Sequence, residues 1–342
     1  MSATGSLCAM GLKASCEGQA KVEDSHQCAL TSDGLLWLMG LRGVEQPKYS
    51  FYHRTALLGS YLASLQLSSA TWNPVHSFPQ IDADENREDI LLAVGEELYL
   101  LVYSRYDGFR FRSLLRWNKQ TSSWEAVKGL QIDKNTEIAP SVADRSQLIH
   151  AQDPTTGTVF FLVSCANTLK VSKLDVKSSD AATISHVMDV PESGILWHGE
   201  GWIAVAGAYK STVYAIAGSM GCGYHWEPSR LLRLRLGGDE RKAEVVKVEG
   251  ATRPPFAFSG SGTVVTLSDG RLALIGGSLA RGMEQVDWST EIWWLDLTKE
   301  QMQWQKADTG VPSQLNDNEL CVTSHGNKVV LVDQQHCIQL TI

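Results

Sequence analysis

No long apolar run occurs anywhere in the chain. The longest nearly apolar stretch, Trp202 to Tyr209, falls far short of the roughly twenty residues that cross a bilayer. Near the start, Leu7 to Leu12 is broken by Cys8 and Gly11 and follows no basic leader, so no signal peptide and no membrane partner are expected. Positive charge is in short supply: 30 Lys and Arg stand against 38 Asp and Glu, a formal charge of −8. That excludes a protein that tracks a nucleic-acid backbone, where affinity depends on a concentrated basic face. C-x-x-C pairs are absent, and the seven cysteines are an odd count. A chain with a large apolar core has no need of disulfide staples, so reduced thiols and a cytoplasmic location are expected, with the nucleus as the second option. Helical periodicity is also missing, which leaves an all-β fold.

What is present is a repeat. Six times the sequence runs from a strand through a tight polar turn into a strongly apolar strand. The turns are Ser32-Asp33-Gly34, Gly95-Glu96-Glu97, Thr155-Thr156-Gly157, Tyr209-Lys210-Ser211, Ser268-Asp269-Gly270 and His325-Gly326-Asn327. Most supply a Gly or Asn that tolerates positive φ, as hairpin turns require. The apolar strands that follow begin at Leu35, Leu98, Thr158, Thr212, Arg271 and Lys328. A period of about sixty residues marks an array of supersecondary units. Each unit continues through a variable loop to a third strand and then a fourth that begins near an aromatic: Trp72, Trp124 and Trp304 hold that place.

Gly276-Gly277 followed by Trp304 resembles the kelch repeat, in which a diglycine ends the second strand and a Trp follows the third. Gly40 and Gly218 stand singly at the same position. The expected fold is therefore a six-bladed β-propeller of four-stranded antiparallel blades, forming one domain over 1–342. The blades fall at about 26–79, 87–131, 139–190, 196–249, 255–310 and 317–342. The sixth unit reaches only a third strand, so the missing strand is expected from the lead-in 1–25, within Ser6 to Val22. A ring closed in that way has no free edge. The lead-in has no room for the BTB or F-box domain often found beside kelch repeats. The Trp and Gly positions are read as packing between blades.

In such a blade the one–two turns leave by one face, and the two–three loops and inter-blade links leave by the other. Function is usually carried by loops on a rigid scaffold, and here the two–three loops of blades one, two, four and five are rich in aromatics and Arg. The partner-binding candidates are Tyr49, Phe51, Tyr52, His53 and Arg54; Tyr103, Arg105, Tyr106, Phe109, Arg110 and Arg112; Tyr224, His225 and Trp226; and Arg281 and Trp288. Aromatics with Arg make interface hot spots, although rings in these loops can equally bury against the next blade. The acidic segment Asp82 to Asp89 would share the face.

Motifs with defined chemistry fail one by one. Cys222 and His225 have C-x-x-H spacing, but zinc needs three or four ligands and no second half-site is visible. The glycines around Cys222 could expose a reactive thiol, though an inert loop cysteine is favoured. Neither Gly260-Ser261-Gly262 nor Gly218 to Gly223 sits between a strand and a helix, as a phosphate cradle requires. No G-x-S-x-G elbow occurs, and the Glu, Asp and His iron motif of kelch-type nitrile-specifier proteins is missing. No catalytic residue, metal or cofactor is assigned. The leading expectation is a monomeric, non-catalytic propeller binding a protein or peptide. The alternatives are a kelch-type sugar mutarotase or isomerase with its site in the central channel, and a carbohydrate-binding propeller.

Overall fold

Every one of the six polar turns closes a hairpin whose second strand is buried on both faces. In the second blade, seven of the eight residues of Glu97–Ser104 are buried, which explains why these strands read as unbroken apolar runs. The structure, a computed structural model, describes residues 8–11, 25–41, 60–69, 71–73, 76–78, 87–104, 108–138, 148–165, 168–191, 201–219, 230–238, 241–248, 263–276, 278–280, 286–313, 315, 320–332 and 336–342. The one helical element among them is a single 3-10 turn at Lys134–Thr136.

Six small antiparallel sheets stand in a ring, so the chain is a six-bladed β-propeller. The innermost strands of blades one to six are Ser25–Leu30, Arg87–Val94, Leu148–Gln152, Gly201–Tyr209, Thr263–Thr266 and Cys321–His325. Each pairs only with the second strand of its own blade, and together they surround the central channel. Blade six holds three consecutive strands and takes its outer strand from Cys8–Gly11, with Cys8 opposite Gln339 and Gly11 opposite His336. The N-terminal strand thus closes the ring.

Apolar packing is divided among the six seams between blades. The seam of blades two and three is aromatic, with Tyr103, Phe109, Phe111 and Phe161 in successive ring contacts. The seam of blades six and one is smaller and contains three free thiols, Cys28, Cys321 and Cys337. A hydrogen bond from the Cys321 side chain and burial both raise the Cys28 pKa, and burial pushes Cys337 up to about 12. Protonated and enclosed, these thiols are packing groups.

Blade three departs from the expected plan. The link from blade two does not run straight on: Gly129–Ile132 adds a fifth strand, parallel to Ala181–Pro191, and so belongs to blade three rather than to blade two. It covers an outer edge that would otherwise be open. The chain then turns back, and Ile138 bridges to Phe109 above the blade two–three seam.

Candidate functional site

Inner strands carry backbone groups on their channel edge that no fourth neighbour takes up. Buried groups of this kind need partners, and side chains of adjacent blades supply them. The Gln27 carboxamide donates to the Asp89 carbonyl at 2.8 Å and accepts from the Leu91 amide at 2.6 Å. Gln152 donates to the Ala93 carbonyl, and Ser324 to the Thr266 carbonyl at 2.9 Å. The channel wall is thereby rigid and largely self-satisfied.

Against that wall His150 stands out. It lies in the middle of the blade-three inner strand, opposite Phe161, and it is exposed to solvent although its neighbour Ala151 is buried. Solvent can reach the middle of an inner strand only along the central channel. Protein surrounds the ring so closely that desolvation alone holds its pKa down at about 4. His150 therefore presents a neutral imidazole at neutral pH, able to donate from one nitrogen and accept at the other.

A second polar group lies on the same side of the ring, toward the loop face. Glu88 accepts a 2.5 Å hydrogen bond from the Tyr103 hydroxyl, and these two residues are register partners in blade two. Beside them Arg110 is exposed, and its Nε donates to the Ser104 hydroxyl over 3.4 Å. Arg112 is exposed as the extra residue of a β-bulge opposite Val102 and Tyr103.

The expected partner-binding cluster divides on inspection. Tyr103 and Phe109 are 6% and 1% exposed and belong to the core between blades two and three. Their rings bury in the seam because the blade two–three link folds over them. Arg110 and Arg112 remain on the surface. Trp288 ends the short strand Val286–Trp288, paired to Ser278. Tyr49, Phe51, Tyr52, His53, Arg54, Arg105, Tyr106, Tyr224, His225, Trp226 and Arg281 lie outside the described residues, as does Cys222. No group of three or more metal-ligating side chains occurs among the described residues.

His150 had no place among the sequence candidates. Its signal was there: counting back from the turn at Thr155 places it inside an inner strand, where an ionisable residue must face either a seam or the channel.

No protein-family model matches the chain, and no curated protein sequence does. Solved structures do match. An α-L-arabinofuranosidase of glycoside hydrolase family 93 from Fusarium graminearum, in complex with arabinobiose, aligns at 10% identity and a TM-score of 0.54 over 94% of each chain. The polysaccharide lyase Uly1 aligns at 9% identity and a TM-score of 0.49, over 97% of this chain and 94% of its own. An acylaminoacyl peptidase of Pyrococcus horikoshii aligns at 10% identity and a TM-score of 0.40, over 84% of this chain and 38% of its own. These likenesses establish the propeller and do not extend to the kelch repeat.

The expectation of a non-catalytic protein- or peptide-binding propeller is corrected here. The propeller that this chain matches over nearly its whole length is a carbohydrate-acting enzyme, and two of the rings offered as interface anchors are core.

Proposed function

We propose that the protein is a carbohydrate-processing enzyme with its reaction centre in the central channel at His150. The carrying observation is that imidazole: solvent-reached, enclosed, and neutral at pH 7. Strongly shifted groups in a concave site are where chemistry is found. The arabinofuranosidase likeness supports a sugar as the occupant. A neutral imidazole accepts a proton or a hydrogen bond from a sugar hydroxyl without first releasing a proton of its own. The Glu88 carboxylate, held by Tyr103, and the exposed Arg110 offer further polar contacts toward the channel mouth.

The test is turnover of a panel of plant and algal polysaccharides and their disaccharides, arabinan and arabinobiose included, by the native protein and by His150→Ala. Loss of a positioned acid–base group costs about a hundredfold or more in rate. A wild type inert on the whole panel, or a His150→Ala variant with full activity, overturns the proposal.

A further inference from the structure

The loop face is not evenly furnished, and its unevenness follows from strand boundaries alone. Between the second and third strands, blade one has residues 42–59 and blade five has 276–291, which include the extra hairpin Ser278–Ala280 with Val286–Trp288. Blade four has 220–229. Blade three has only 166–167, between Cys165 and Thr168, and blade six only 333–335, between Val332 and His336. In a ring of six, blades three and six lie opposite one another. The two shortest connections therefore face each other across the channel, with the longest connections, those of blades one and five, on either side of that line.

The blade-three end of this line is polar. Lys170 and Asp189 are register partners near its loop-face end, with Nζ 3.7 Å from Oδ1. Lys170 also donates to the Asn135 carbonyl at 3.0 Å. His186 Nε2 lies 3.6 Å from Asp189, while its Nδ1 is buried with no partner among the described residues. Buried nitrogens left without a partner are uncommon and call for a reason.

We infer that the substrate is a polymeric glycan, held by an internal stretch that runs over blade six, past His150 and out over blade three. The inference rests on the carbohydrate reading of the same channel. A site walled all round takes the end of a chain, whereas one open at two opposite sides lets a chain pass through. Lys170, Asp189 and His186 supply donors and acceptors for sugar hydroxyls where the chain leaves.

The experiment reads binding and does not require turnover. The full-length protein and its His150→Ala variant are run in native gels containing arabinan, or a second soluble polysaccharide on which the wild type is active, with disaccharide as competitor. Expected results are retardation by the polymer in both proteins, no release by disaccharide at equal sugar concentration, and unchanged retardation when the polymer's reducing ends are blocked. A six-residue Gly/Ser insertion between Ala166 and Asn167 should weaken retardation at least tenfold at an unchanged melting temperature. Lys170→Ala, which adds no bulk, should weaken it several-fold. Absence of retardation by every polysaccharide tested, full competition by disaccharide, or indifference to both variants overturns the inference. Disaccharide turnover that needs His150 but shows no polymer retardation would sink the through-running chain and leave the enzyme reading standing.

Discussion

The two faces of this propeller are built on opposite principles. On the turn face, neighbouring blades are tied together at their hairpins. The Ser32 amide donates to the Gly95 carbonyl at 2.8 Å, the Ser211 amide to Asp153 Oδ2 at 2.9 Å, and the Ser268 amide to the Gly326 carbonyl at 3.0 Å. Lys119 pairs with Asp33 at 3.1 Å across blades one and two. On the loop face the connections vary from two residues to eighteen, and exposed Arg110 and channel-facing His150 are found there and along the channel that it opens. Stability is concentrated on one face and chemistry on the other, a division that lets loops vary without loosening the ring.

The strongest way to break this comparison is to remove closure itself. Deleting residues 1–11 takes away the strand paired with His336–Thr341 and leaves the third strand of blade six as an open edge at the smallest apolar seam. Free edges pair with other chains. The truncated protein should aggregate or lose its cooperative melt, by size exclusion and calorimetry. A monomer with an unchanged melting temperature would show that the turn-face ties suffice alone.

Asp153 is the most heavily used tie. It is fully buried and accepts from the Thr155 amide at 2.9 Å, from the Thr155 hydroxyl at 2.6 Å and from Ser211 of the next blade. Burial raises its pKa, but those hydrogen bonds outweigh burial, and the carboxyl ends below its ordinary value. Asp153→Ala leaves the donors unmet, and losing such charge-assisted bonds costs about 3 kcal/mol. Denaturant unfolding should show that loss while channel chemistry is preserved in the remaining folded fraction. A cost below about 1 kcal/mol would place the seam's strength in apolar packing.

The faces should also differ in pH response. The folded pKa of His150, about 4, lies below the ordinary value near 6.5. As pH falls, the unfolded chain takes up that proton first. The stability associated with neutral His150 is therefore complete above pH about 6.5 and is lost between there and about 4. Asp153 and Asp33, whose pKa values are lowered, contribute stability that is present above the ordinary carboxylate value and is lost only as pH falls below it. Comparing wild type with His150→Gln from pH 7 to 4 should isolate the first window, with wild type falling more steeply. Sugar turnover by wild type should decline below pH about 4 as the imidazole protonates. Parallel stability curves would mean that His150 titrates like a free histidine.

The sequence made much of the turn face legible, because hairpin turns announce themselves through Gly, Asn and Asp at fixed places. Ser268-Asp269-Gly270 and the apolar strand after it need no tertiary information to be read. The fifth strand of blade three was not legible: Gly129–Ile132 pairs parallel with a segment some fifty residues on, and no local pattern encodes that. Tyr103 and Phe109 misled for a related reason. An aromatic in a loop looks like an anchor until the link carrying Ile138 is seen to cover it. His150 was missed because its meaning depends on the axis around which all six units are arranged.

The smallest effect tests the turn face at its one irregular hairpin. Five of the six one–two turns place a glycine at positive φ: Gly34, Gly95, Gly157, Gly270 and Gly326. Blade four instead places Lys210 at 48° and Ser211 at 59°. L-residues in this region are disfavoured by about 1–2 kcal/mol, and glycine recovers part of that while giving back some backbone entropy. The Ser211 amide that serves Asp153 is backbone, so Ser211→Gly keeps the tie. The substitution should raise stability by about 0.5–1 kcal/mol, read as a small upward shift in the urea midpoint with an unchanged slope. In an Asp153→Ala background the same gain should persist, because relief of the dihedral does not depend on the acceptor. If Ser211→Gly destabilises, the serine side chain is holding the turn, and the division between a tied face and an open one would then rest on side chains as well as on backbone geometry.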